Sequence, residues 1–193
     1  NPKPGESVID FFAGRGGKAA YIAELMHSNG ELIAIDKIPN KVKEMKKSFE
    51  RLSLDSTHFI TEDAFRYGPV APAYNRVLLD VPCSGWGVFQ KKSELRWQMN
   101  QDINSLLKIQ EKALNMGANF VNDGGILVYS TCTLNRSENE EQISKFLSRN
   151  KNFILENAGD YLDKTLVDNG YLKTIPYLHH LDGVFAARMR KKS

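Results

Sequence analysis

Short apolar runs recur along the chain, each closed by a carboxylate, a hydroxyl or a glycine. They are Ser7-Val-Ile-Asp-Phe-Phe12, Glu31-Leu-Ile-Ala-Ile-Asp36, His58-Phe-Ile-Thr61, Tyr74-Asn-Arg-Val-Leu-Leu-Asp80 and Gly124-Gly-Ile-Leu-Val-Tyr-Ser130. Runs of this length without strict alternation predict strands buried on both faces, the habit of parallel sheets. Between them the apolar spacing becomes helical. Ala20, Ile22, Ala23, Leu25 and Met26 predict a helix from Gly17 to about Asn29, stopped by Asn29-Gly30. Pro39 opens a second helix to about Leu52, since a first turn tolerates its missing N–H. A long helix is expected from about Gln101 to Asn122. Past Asn150 the pattern weakens until Gly183-Val-Phe-Ala-Ala-Arg-Met189, which predicts a last strand, antiparallel and at or near an edge. Strands alternating with helices imply one α/β domain over residues 1–193, a mostly parallel twisted sheet with helices on both faces. In such sheets ligands bind beyond the carboxyl ends of the strands.

The chain's 193 residues suffice for one such core. It opens at Asn1 without an initiator Met and soon reaches its first strand, as expected for a piece of a longer polypeptide. No apolar run approaches the roughly 18 residues of a membrane span, and no basic-then-apolar leader is present. Cys83 and Cys132 are the only cysteines, which suits a reducing cytoplasm better than a secreted disulfide scaffold. Two thiols cannot build a four-thiolate zinc site, and His27, His58, His179 and His180 show no ligand spacing, so no metal is expected. The net charge of +3 says little about partners, but its distribution says more. Lys37, Lys41, Lys43, Lys46, Lys47 and Arg51 share one helical stretch whose simplest reading is a solvated face. Lys91, Lys92 and Arg96 follow a glycine-bearing loop and are better candidates for phosphate contacts.

Three strand ends carry chemistry. Asp10-Phe-Phe-Ala13-Gly14-Arg15-Gly16-Gly17-Lys18 runs from a strand through a glycine-rich turn into a helix, where bare backbone can approach a ligand. Asp36 ends the next strand about 20 residues on, where a carboxylate can accept from ribose hydroxyls. Asp63 follows the third strand and can meet an adenine edge, or be a solvated loop carboxylate. Together they describe a site for an adenosine-containing cofactor. A phosphate-binding loop fails on spacing, because Ala19 follows Lys18 where serine or threonine is needed. A nicotinamide-type turn stays open from these residues alone, with Ala19 as its last small residue. The other two strand ends are Asp80-Val-Pro-Cys83-Ser-Gly-Trp86-Gly87 and Ser130-Thr-Cys132-Thr133, each presenting a thiol. Either cysteine alone reads equally as a small buried hydrophobe. Both at the ligand edge is harder to attribute to packing, and a disulfide between adjacent loops is conceivable. Ser137-x-x-Glu140 predicts a capping box for a following helix, whose N-terminus would favour thiolate at a nearby Cys132.

These segments resemble the Sun-type RNA cytosine-5 methyltransferases, a family of bacterial ribosomal RNA enzymes and eukaryotic nucleolar proteins. The resemblance spans nearly the whole chain. It rests on the glycine turn, with Gly14-Arg15 replacing the usual Ala-Pro and a looser loop expected. It rests also on Asp80-Val-Pro-Cys-Ser-Gly-Trp-Gly87, on Ser130-Thr-Cys-Thr133 followed by Glu138-Asn139-Glu140, and on Asp182-Gly-Val-Phe-Ala-Ala187. The paired Pro-Cys and Thr-Cys signatures are specific in combination. The resemblance implies a Rossmann-like class I fold and S-adenosyl-L-methionine as cofactor. It also implies RNA as partner, ribosomal RNA first, and an RNA-binding module before Asn1. It assigns Cys132 as nucleophile, Cys83 to proton removal and release, Asp80 to the cytosine N3/N4 edge and Lys18 to the same site. Ala13, Gly14, Gly16, Gly17, Lys18, Asp36, Lys37, Asp63 and Asp80 would line the cofactor pocket, and Trp86, Phe89 and Trp97 could stack on nucleotides. Trp97 reads equally as core. Two other functions remain open at this level. A DNA cytosine-5 methyltransferase would give the lead to Cys83, and a catalytically silent RNA-binding or assembly factor would need neither thiol.

Overall fold

The computed structural model describes residues 1–68, 74–91, 94, 97 and 102–193. The elements follow the expected order: β1 (Ser7–Phe11), α1 (Gly17–Leu25), β2 (Glu31–Asp36), α2 (Pro39–Leu52), β3 (Thr57–Thr61), β4 (Tyr74–Asp80), α3 (Ile103–Asn119) and β5 (Val121–Thr131). The five strands are parallel in the order β3-β2-β1-β4-β5. Between β1 and β4 the order reverses, so the loops beyond them diverge and leave a crevice.

Alternate residues of each strand face opposite helical layers. Ile9, Phe11, Ile33 and Ile35 share a core with Ala113, Leu114 and Ala118 of α3. Val8, Leu32 and Ala34 pack instead with Ala19 and Ala23 of α1 and with Val42, Met45 and Phe49 of α2. On α2 those three apolar residues fall three and four apart and are buried, while Lys43, Lys46, Lys47 and Arg51 are exposed. Burying each of the three contributes about 1.5–3 kcal/mol. The basic stretch is therefore the solvated back of a helix held by its apolar stripe.

Helix ends differ from the sequence reading for local reasons. α1 stops at Leu25, because His27 and Ser28 take left-handed φ and Ser28 N–H closes onto the Ala23 carbonyl at 3.0 Å. α3 ends at Asn119. Val121 already pairs with Tyr74 as the start of β5, ahead of a register shift near Gly124, whose φ is 74°.

The remaining elements are α4 (Glu140–Arg149), β6 (Phe153–Glu156), β7 (Val167–Asp168), β8 (Tyr171–Lys173), α5 (Pro176–His179) and β9 (Phe185–Lys191). β9 runs antiparallel to β5 and lies near the edge, as expected, with only the short strands β6 and β8 pairing with its far side. β6, β7 and β8 are two to four residues long, too short to show a period. Among the described residues no helix is long and apolar enough to cross a membrane.

Candidate active site

Beyond β1 the chain turns through Phe12, Gly14 and Gly16, all at positive φ, into α1. Gly16 serves packing: a Cβ there would lie 2.4 Å from Met45 Cγ on α2. Gly14 and Gly17 differ, for a Cβ on Gly17 meets nothing within 4 Å, and on Gly14 only the Phe12 carbonyl at 4.0 Å. Asp36, 7% exposed, fastens the turn by accepting from Gly14 N–H at 3.0 Å and Ile38 N–H at 2.8 Å. Ala13 N–H donates to the Ile35 carbonyl at 2.8 Å. Arg15 pairs with Glu44 on α2 at 2.7 Å, an exposed contact worth less than about 1 kcal/mol. Gly14 is thus fastened by Asp36, while Arg15 makes only this exposed pair among the described residues.

Three carboxylates meet at this crevice. Asp10 is 1% exposed, and neither of its oxygens has a hydrogen-bond partner among the described residues. Burial first, then the neighbouring Asp80, holds its carboxyl well above the usual range, with Asp36 adding to the rise and Lys18 opposing it. Asp80 accepts from Lys18 Nζ at 2.6 Å and from the Ser130 hydroxyl at 2.8 Å. S-adenosylmethionine suits this set. Its ribose hydroxyls can use the second lone pairs of Asp36, its cationic groups can face Asp80, and Gly14 and Gly17 leave the backbone uncovered. Asp63 lies two residues past β3, which pairs with β2 through Asp36, and its Oδ1 accepts from Phe65 N–H at 2.9 Å. Lys37 is exposed.

β4 and β5 end side by side, with Asp80 opposite Ser130. The chains continuing from them bring Cys83 Sγ and Cys132 Sγ to 3.2 Å, and Cys132 N–H to 3.3 Å from Cys83 Sγ. Both are partly buried thiols and form no disulfide. Thiols in such contact hold one negative charge, not two. The contact with Cys132 first, then burial, pushes the Cys83 thiol up. Gly87 N–H donates to the Cys132 carbonyl at 2.9 Å, and a Cβ on Gly87 would sit 2.0 Å from the Gly183 carbonyl oxygen. Only glycine lets these loops approach that closely.

Some expectations do not hold. Helix α4 starts at Glu140 with Asn139 as N-cap and no side-chain cap, so the capping box does not form. The Ser137 hydroxyl goes to Asn135 and Glu140 pairs with Lys173. Trp97 is 89% exposed, so it is not core, while Trp86 and Phe89 are partly buried. Lys91 is engaged by Asp182 at 2.7 Å, and Lys92 and Arg96 lie outside the described residues. Among the described residues no cluster of three or more His, Cys, Asp or Glu could hold a metal. An apolar groove of about 520 Å³, lined by Val8, Leu78, Val128 and Ala186, touches the site only through Gly17 and Lys18. Sequence reasoning gave no role to Gln110, Glu138, Asn139 or Ser130. Gln110 carried a signal, being a polar residue on the buried stripe of α3 with Ala113, Leu114 and Gly117.

Comparison with known proteins gives a consistent picture. Residues 1–190 match the family described as 16S rRNA methyltransferase RsmB/F. The chain is 38% identical to the probable ribosomal RNA small subunit methyltransferase B of Bacillus subtilis (strain 168), over all of this chain and 44% of that protein. It is 33% identical to the tRNA (cytosine(72)-C(5))-methyltransferase of Pyrococcus horikoshii, over 98% of this chain and 48% of that one. The crystal structure of NSun6 from Pyrococcus horikoshii with SFG superposes with a TM-score of 0.88 at 31% identity, covering 100% of this chain and 49% of that one. The chain thus spans less than half the length of these relatives, and its fold is that of the class I S-adenosylmethionine-dependent methyltransferases.

Proposed function

The chain belongs to the 16S rRNA methyltransferase RsmB/F family, and on that footing we propose that it methylates carbon 5 of cytosine in RNA through a covalent adduct with Cys132. The observation that carries this reading is the 3.2 Å contact between two thiols at neighbouring strand ends, next to Asp80. Carbon 5 of cytosine is too weak a nucleophile to take a methyl group unaided. The Cys132 thiolate forms a bond to carbon 6, and the ring electrons shift toward carbon 5 and N3. Asp80 meets the N3/N4 edge, with Lys18, its 2.6 Å partner, balancing charge. S-adenosylmethionine supplies the electrophilic methyl group. Loss of the carbon 5 proton to a base restores the double bond and breaks the carbon 6–sulfur bond, returning the thiolate to Cys132. Cys83 touches that sulfur, assists the proton removal and hydrogen-bonds the departing thiolate.

RNA rather than DNA is favoured because the relatives' names specify ribosomal RNA and tRNA. The target base is taken from a single strand or flipped out of a helix. A cytoplasmic setting and an RNA-binding module before Asn1 belong to the same proposal. A silent binding factor is the weaker reading, because Asp36 fastens the glycine turn and Gly14 and Gly17 leave its backbone open to a cofactor. Incubation with methyl-labelled S-adenosylmethionine and matched RNA or DNA strands tests it. Label is expected in 5-methylcytidine of the RNA. Label in DNA, or a calorimetric failure to bind S-adenosylmethionine, would overturn it.

A further inference from the structure

Two adjacent buried polar residues, Glu138 and Asn139, are 0% and 1% exposed, and each grips the peptide around one thiol. Glu138 Oε2 accepts from Ser84 N–H at 2.9 Å and Oε1 from the Ser84 hydroxyl at 2.5 Å. Gln110 Nε2 on α3 donates to Glu138 Oε2 at 2.9 Å and to the Pro82 carbonyl at 3.0 Å. Cys83 is therefore held on both sides, at Pro82 and at Ser84. Asn139 does the same for the other thiol: its Oδ1 accepts from the Thr131 hydroxyl at 2.6 Å, and its Nδ2 donates to the Thr133 carbonyl at 2.9 Å. The Ser84 and Thr133 hydroxyls, 2.8 Å apart, join the two grips. The Tyr129 hydroxyl donates to the Glu138 carbonyl at 2.6 Å, tying the pair to β5.

Among the described residues, every partner of the Glu138 carboxylate is a donor and none is a cation, as a buried carboxylate so placed requires. Its burial is unfavourable unless those donors are in place. The carboxylate therefore dictates where Ser84, and with it Cys83, can sit. The Asn139 amide is fixed in one orientation, since turning it would aim Oδ1 at the Thr133 carbonyl.

Resting on the two-thiol reading above, we propose that Glu138 and Asn139 are positioning residues with divided duties. Glu138 places Cys83 for release, and Asn139 places Cys132 for attack. Neither touches the reacting atoms.

Two readouts on the full-length protein test this. The first ignores methylation: dibromobimane becomes fluorescent when it alkylates two neighbouring thiols. Wild type is expected to be bridged readily, and Glu138→Gln and Asn139→Ala to be bridged about tenfold more slowly, consistent with the steep cost of misplacing reacting groups. The second follows the cysteine–RNA adduct on denaturing gels. With Glu138→Gln, adduct forms at near the wild-type rate but releases roughly 100-fold more slowly. With Asn139→Ala, adduct formation itself falls by roughly the same factor. In both, the dissociation constant for S-adenosylmethionine stays within about twofold, which a general loosening of the fold would not allow. Should either variant fail to fold, Ser84→Ala, which removes the hydroxyl's bonds to Glu138 and Thr133, and Thr131→Val, which removes the bond to Asn139, are expected to shift the same steps, less strongly. Unchanged bridging, or both steps falling together in each variant, would overturn the proposal. If wild type gives neither adduct nor methylated RNA, the functional reading fails, and the bridging arm still decides whether the pair positions the thiols.

Discussion

Cys132→Ala is expected to abolish both methyl transfer and the protein–RNA adduct, whereas Cys83→Ala should stop after the adduct has formed. Removing a nucleophile leaves no covalent route, so turnover should fall by roughly 10⁴-fold or more. Removing a group that assists proton transfer should cost about 10²–10⁴-fold. The two losses differ in kind as well as size. Cys83→Ala should accumulate a band of retarded protein on a denaturing gel that Cys132→Ala never shows. The thiols touch at 3.2 Å, so each variant removes one sulfur and leaves its neighbour's loop braced. The reverse pattern would make Cys83 the nucleophile and favour the DNA-type mechanism.

Asp10 should make the free protein less stable as pH rises. Its carboxyl is held above the ordinary value by burial and by Asp80, so the folded state binds its proton more tightly than the unfolded chain does. Between the unfolded value, about 4, and the raised folded value, the native state carries the extra proton. Stability therefore falls with pH across that window, by about 1.4 kcal/mol per unit from this one group. Below the window the penalty is absent. Asp10→Asn should remove the slope and raise the melting temperature at pH 8, while weakening S-adenosylmethionine binding by removing a carboxylate from the crevice. Thermal melts of both proteins from pH 4 to 8, with and without the cofactor, check the two effects. A wild-type slope that persists in Asp10→Asn would contradict this account of the group.

Four of the five parallel strands were legible as buried apolar runs, two of them ending in Asp36 and Asp80; β3, expected to be buried on both faces, lies at the sheet edge with none of its residues buried. The glycine turn and both thiols were legible as strand-end chemistry. The grip on the thiols was not. Glu138 and Asn139 act through Ser84, Thr131 and Thr133, and sequence spacing does not show which loops two neighbouring strands bring together. Reading Ser137-x-x-Glu140 as a capping box went astray because tertiary partners, Asn135 and Lys173, competed successfully for both side chains. The glycines of the first turn looked alike in sequence. Only packing separates Gly16, pressed against Met45, from Gly14 and Gly17, which stay open. β9 was legible as a strand at or near an edge, but its far-side neighbours β6 and β8 are too brief to announce themselves.

The most direct test of the central claim is to find which residue carries the RNA. Protein incubated with S-adenosylmethionine and an RNA containing 5-fluorocytidine cannot complete release, because fluorine replaces the proton that must leave carbon 5. After digestion of protein and RNA, peptide mass spectrometry should find the nucleotide on the peptide containing Cys132, and none on the peptide containing Cys83. Nucleotide on Cys83, or no covalent product despite bound RNA and cofactor, would contradict the account.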